Sequence, residues 1–187
     1  MGLFSFLKHK TIKFAPNLKK SEYENWLDFL DCGGTSKQWE RLKTENGWRF
    51  RESKAEKFER YLSEVKEVSE RYYKQMQEIQ SDWSTMYNIG TYTGSLADNI
   101  ERKCLANIAD YKEMRRIDKK YGESTATNIP AFKRLAMLYE KQERVEEAIE
   151  ICKQACSFGM DERSRVARMI KKAKRNPTPD EIKLLEL

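Results

Sequence analysis

Glycine and proline map this chain more sharply than anything else in it. Its 187 residues include eight glycines and four prolines. Each falls at a boundary, and none interrupts a stretch of helical periodicity. Between the boundaries, apolar residues recur at the spacing of amphipathic helices. Strand-forming runs are sparse, and charged residues make up 35% of the chain. The expected fold class is therefore all-α, built from helical hairpins with solvated charged faces.

Residues 1–20 form a basic leader. Leu3, Phe4, Phe6 and Leu7 come first, and Lys8, His9, Lys10, Lys13, Lys19 and Lys20 follow. Two readings stay open: a tether to a membrane surface or anionic partner, or a frayed, loosely docked terminus. Residues 21–50 read as a short Trp-rich helical pair. Ser21 with Glu24, and Thr35 with Gln38, have the spacing of capping boxes. Gly33-Gly34 and Asn46-Gly47 close the two helices. Trp26, Trp39 and Trp48 are expected to share a mini-core there.

Residues 51–187 read as a helical domain, starting with a long hairpin over 53–121. Ser53 and Glu56 open its first helix. Phe58, Val65, Tyr72, Ile79 and Met86 recur every seven residues, with Leu62, Val68, Met76 and Trp83 between them. Such a seam resembles a coiled coil. It can meet the next helix of the same chain, or self-associate with a second copy through 58–86. A return helix follows the Gly90–Gly94 turn. Ser95 is its expected cap, and Leu96, Ile100, Cys104, Ile108, Tyr111 and Ile117 form its stripe. The charged pairs on its other face read as ordinary solvated decoration. Gly122 closes it.

A tighter hairpin spans 129–157, with Asn128 as expected N-cap and Pro130 in the first turn. Phe132, Leu135, Ala136, Leu138 and Tyr139 form one stripe. Val145, Ala148, Ile149, Cys152, Ala155 and Cys156 form the next. Gln142-Glu143-Arg144 reads as a plain polar link between them, and Gly159 as a C-terminal glycine. A basic helix over 161–175 then points Val166, Met169, Ile170 and Ala173 inward. Its other face carries Arg165, Arg168, Lys172 and Arg175. That stripe is either the polar outside of a capping helix or a phosphate-binding surface for nucleic acid. A brief last helix from Pro179 has Ile182, Leu184 and Leu185 to bury.

The stretch 129–160 resembles a tetratricopeptide repeat, whose first helix reads W-x2-L-G-x2-Y. Phe132 stands where that family has Trp, and Leu135, Ala136 and Tyr139 fit the next positions. Ala148 and Ala155 occupy the alanine positions of the second helix. Cys152 replaces the usual aromatic and Met160 the closing Pro. About one repeat is covered, where roughly three are needed for an independent stack. The resemblance implies a module that binds a protein or peptide partner along the first helix. By register that surface holds Lys133, Met137, Glu140 and Lys141. Met137 stands where family members that clamp a terminal carboxylate carry Asn, so a mixed groove for a helix or extended peptide is expected instead.

Motifs of catalysis are missing from the sequence. It has no phosphate-cradling glycine loop, no G-x-S-x-G and no H-E-x-x-H. Adjacent acids such as Glu146 and Glu147 point to different sides of a helix. The expectation is a non-enzymatic adaptor with no cofactor. Cys32, Cys104, Cys152 and Cys156 form no C-x-x-C, and His9 is the one histidine, so no metal site is expected. No apolar run approaches the ~18–20 residues of a membrane span, and Phe6 occupies the position where a myristoylation signal needs Ser or Thr. A cytoplasmic location is the expectation. Net charge is +6, compatible with acidic partners without demanding them.

Overall fold

A computed structural model describes residues 12–186. The apolar and first basic residues of the leader, Leu3 to Lys10, lie outside the described residues, and so does the tether reading that rests on them. The described chain is all-α: eight helices and no strand. It divides into two compact units, Met1–Arg60 and Tyr61–Leu187.

In the first unit, α1 (Glu22–Asp31) and α2 (Ser36–Asn46) both start with complete capping boxes. The Glu24 N–H donates to Ser21 Oγ at 3.2 Å, and the Ser21 N–H donates back to the Glu24 carboxylate at 2.8 Å. Phe29 and Trp39 are fully buried. Phe14 stands edge-on to both, at 5.3 and 5.9 Å between centroids. Trp48 and Phe50 pack on Trp39 at 5.7 and 5.5 Å. Trp26 is not part of this cluster. It lies half-buried against Tyr23, 5.6 Å away. The cause is helical geometry: α1 buries the face of Asn25 and Phe29, and Trp26 is one residue round from Asn25. Asn25 ties the end of the leader down. Its Oδ1 accepts from the Asn17 N–H at 2.7 Å, and its Nδ2 donates to the Asn17 carbonyl at 2.9 Å.

The second unit is dominated by α3 (Lys54–Ile89), which starts just before it, and by α4 (Ser95–Tyr121). At 36 residues, α3 is roughly 54 Å long. As partner numbers rise along α3 they fall along α4: Tyr61 with Asp118, Arg71 with Asp110, the Tyr72 carbonyl with Asn107, Asp82 with Asn99. The two helices are therefore antiparallel. Val65, Val68, Tyr72, Ile79, Trp83 and Met86 are buried, so this part of the seam is used within the chain. Phe58 and Leu62 are not buried, at 48% and 47% exposed; at this end of α3 it is Tyr61 and Val65 that pack with Ile117 and Tyr121 of α4.

Several charges of α4 are structural. Asp110 and Asp118 are buried. Arg71 holds both carboxylate oxygens of Asp110 at 3.0 Å through Nε, with a further contact at 2.7 Å through Nη2. Lys103 bridges to Glu78 and Asp82 at 2.9 and 2.8 Å. A hydrophobic seam tolerates sliding, whereas such pairs hold in one register only. Ser95 is the first helical residue, and Gly94 takes the cap position with φ +83°, which suits glycine.

Four shorter helices complete the unit: α5 (Pro130–Lys141), α6 (Val145–Ser157), α7 (Arg163–Lys172) and α8 (Pro179–Glu186). The helix α5 packs on α4 and α6, and α6 packs on α7. Ala131, Ala136, Ala148, Cys152 and Ala155 are buried at these contacts, and their small size permits close approach. Asn128 does not cap α5. The cap position is Ile129, which is fully buried and offers no side-chain hydrogen bond. Arg144 is no plain link either. It stacks 4.0 Å from the Tyr139 ring centroid and binds Glu101 of α4 at 2.7 Å and Glu147 of α6 at 2.6 Å. Tyr139 donates to Glu101 at 2.8 Å, so one cluster joins α4, α5 and α6.

The end of the chain corrects the expected basic stripe. The helix α7 stops at Lys172, and Lys174 turns the backbone at φ +52°. Arg175 therefore leaves the helical face and reaches Glu146 and Glu181, each at 2.7 Å. Glu181 is buried, whereas Ile182, expected to be buried, is 43% exposed. Arg175 and the Thr178 N–H hold the Glu181 carboxyl down at about 2. A carboxyl lowered on folding stabilises above its unfolded pKa and loses that contribution as pH falls through the folded one. We expect α8 to loosen between about pH 4.5 and 2, by amide hydrogen exchange. Glu181→Gln should loosen it already at pH 7 and flatten the transition.

Candidate functional site: the α3–α5 groove

The helix α5 buries Phe132, Leu135, Ala136 and Tyr139 in the core. Helical spacing leaves Pro130, Lys133, Arg134, Met137 and Lys141 on another side. Beside them runs the second half of α3. Two adjoining depressions lie between the helices, of about 500 and about 300 Å³. Gln80, Ser84 and Arg134 line both. Met76, Ile79 and Ala131 contribute to the larger one, and Trp83, Tyr87 and Met137 to the smaller. The floor is mainly apolar, and the polar groups on the α3 wall are amides and hydroxyls.

Arg134 sits where the two depressions meet. Its Nη2 donates to Gln80 Oε1 at 2.8 Å, and its guanidinium lies 5.0 Å from the Trp83 ring centroid. Partial burial pushes its pKa below the ordinary arginine value. Among the described residues no carboxylate lies within ion-pair distance of it, whereas Arg71, Arg144, Arg165, Arg168 and Arg175 all have one.

The residues singled out in the sequence divide between two places. Met137 lines the groove, half-buried against the core. Lys133 is exposed on the same helix. Lys141 is exposed with its Nζ 5.1 Å above the Tyr92 ring. Glu140 is not on the groove face. Its carboxylate turns to α7, where it pairs with Arg168 and lies 3.8 Å from Arg165. The basic residues are likewise engaged. Arg165 binds Glu162 at 2.7 Å, Lys172 donates to the Glu140 carbonyl at 3.2 Å, and Arg175 holds Glu146 and Glu181.

Arg134, Gln80, Ser84 and Tyr87 were missed. A signal for the α3 wall exists in the sequence. Up to Lys74, α3 is dense in Lys, Arg and Glu. From Gln75 onward its charges are Glu78 and Asp82, and both pair with Lys103 on α4. Gln77, Gln80, Ser81, Ser84 and Asn88 then form an uncharged polar face. For Arg134 there was no signal, because a lone arginine in a charge-rich chain reads as ordinary surface.

The lining of the groove holds no Cys, His, Asp, Glu or Lys side chain. Burial raises the Cys104 and Cys152 thiols to about 12, far from reactive thiolates. Among the described residues no three His, Cys, Asp or Glu side chains converge as a metal-holding set, and no helix is long and apolar enough to cross a membrane. Compared with protein-family models, curated proteins and solved structures, the chain matches none.

Proposed function

We propose that this chain is a non-enzymatic protein–protein interaction module of tetratricopeptide-repeat-like kind, which holds a segment of a partner protein in the α3–α5 groove. The observation that carries the reading is the groove itself. It opens on the first helix of the repeat-like pair, its floor is apolar, and its α3 wall is polar without charge. Recognition grooves for peptides combine these properties: apolar anchoring with a few directional hydrogen-bonding groups. A cytoplasmic site of action belongs to the same proposal. All four cysteines are free, which suits a reducing compartment.

The nucleic-acid alternative gains no support. Arg165, Arg168, Lys172 and Arg175 each already engage an acceptor within the chain. Self-association through 58–86 is left only the α3 positions that α4 does not cover.

Selection of displayed random peptides against the full chain tests the proposal. Peptides enriched on the wild type should lose about tenfold or more in affinity for the Met137→Glu, Lys133→Glu double variant, since a charge is then forced against an apolar anchor. Unchanged affinity, with helical content intact, would show that the binding face lies elsewhere.

A further inference from the structure

We propose that the groove reads an acidic side chain: a partner segment runs through it with an Asp or Glu carboxylate seated on Arg134 and apolar residues on either side. This rests on the groove being the docking face, and it specifies what that face selects.

Charge complementarity is the first argument. Arg134 is a half-buried cation with no carboxylate partner among the described residues, in a chain whose other partly buried arginines, Arg115 apart, each have one. A guanidinium offers five donors in a planar fork, and Gln80 accepts from one nitrogen of this one. The remaining donors fit a carboxylate, which can take two parallel bonds. Lys133 and Lys141, exposed on the same helix, add positive potential. The carboxylates next along are occupied: Glu78 and Asp82 by Lys103, and Glu140 by Arg168.

Position is the second argument. Arg134 lines both depressions, so apolar floor continues past it in each direction. A chain end would use one side only. A residue inside a segment places its neighbours in both: one against Met76, Ile79 and Ala131, the other against Trp83 and Met137. Stacking on Trp83 and the bond to Gln80 hold the guanidinium in place beforehand, so less freedom is lost on binding. A phosphate backbone fits less well, because one cation over an apolar floor cannot follow a row of phosphates.

The test uses fluorescence anisotropy with synthetic nonapeptide pools and the full chain. Central residues are Glu, Gln or phosphoserine, flanks are randomised among Ala, Leu, Met, Ser and Asn, and the C-termini are amidated. A further Gln pool keeps its free C-terminal carboxylate. The Glu pool should bind the wild type about 10- to 100-fold more tightly than the Gln pool. Arg134→Gln should erase that preference, so that the Glu and Gln pools bind it alike, with far-UV circular dichroism matching the wild type as the control for folding. Arg134→Lys should restore part of it. Met137→Glu should weaken every pool.

Other results overturn the proposal in distinguishable ways. If the Glu and Gln pools bind equally and Met137→Glu weakens both, the groove stands and the carboxylate reading falls. Preference for the free-terminus pool would make the ligand a chain end. Preference for phosphoserine, depending on Arg134 and falling steeply with salt, would make it a phosphate. If no pool distinguishes wild type from Met137→Glu, the docking face and its selectivity fall together.

Discussion

Phe132→Ala is expected to lower the stability of the second unit by about 3–5 kcal/mol. Phe132 is 1% exposed, and its ring packs on Phe158 at 5.7 Å between centroids. Phe158 in turn stands edge-on to Tyr111 of α4 at 5.4 Å and carries the Arg115 guanidinium 4.8 Å above its ring. Truncation would remove the buried ring and leave a cavity where α4, α5 and the end of α6 meet. The surrounding helices are tied by the Arg144 cluster and cannot close in fully. Urea unfolding followed by far-UV circular dichroism gives the measurement. Phe132→Leu, which keeps most of the volume, should cost about half as much or less. A loss below about 1 kcal/mol for the alanine variant would mean that the site collapses freely and that Phe132 is no keystone.

Gly34→Ala should clearly destabilise the first unit, although it adds one methyl group. A Cβ at Gly34 would lie 2.2 Å from Phe29 Cε1 and 2.4 Å from its Cδ1. The Phe29 ring cannot swing aside, since it is 0% exposed and held by Phe14 at 5.3 Å and Trp39 at 5.6 Å. Overpacking of this kind costs about 1–3 kcal/mol, occasionally more. A unit of this size has little stability to spare. Tryptophan fluorescence, to which Trp39 and Trp48 contribute, should show unfolding at lower urea. Phe29→Leu in the Gly34→Ala background should recover part of the loss, because the smaller side chain vacates the space. An unchanged midpoint would show that the close approach relaxes at no cost.

Much of the fold was legible in the sequence. The capping boxes at Ser21, Thr35 and Ser53 form as read, with their glutamate or glutamine partners. The heptad seam is buried from Val65 to Met86, apart from the half-buried Met76. Both stripes of the 129–157 hairpin face the core. These features depend on residues within a few positions of one another, where helical geometry alone decides who meets whom. The misreadings share a different property. Face and polarity alone place Trp26, Glu140, Arg144 and Arg175 differently from where they lie. Each takes its role from a neighbour that periodicity does not specify.

The candidate site shows the same division. Met137 could be placed on an outward face from register alone. The lack of a carboxylate beside Arg134 among the described residues could not, because it depends on which carboxylates come near and what they already hold. Glu78, Asp82 and Glu140 are all spoken for by Lys103 and Arg168. By itself, the sequence determined that this chain is helical, where most helices start and stop to within a few residues, and which side of most helices turns inward, since propensity, capping and periodicity are local. Only the tertiary structure decided which charges cancel, and that Arg134 meets Gln80 and Trp83 rather than a carboxylate among the described residues. Coulombic pairing acts between atoms brought within a few ångströms across helices, and that proximity exists only once the helices have packed.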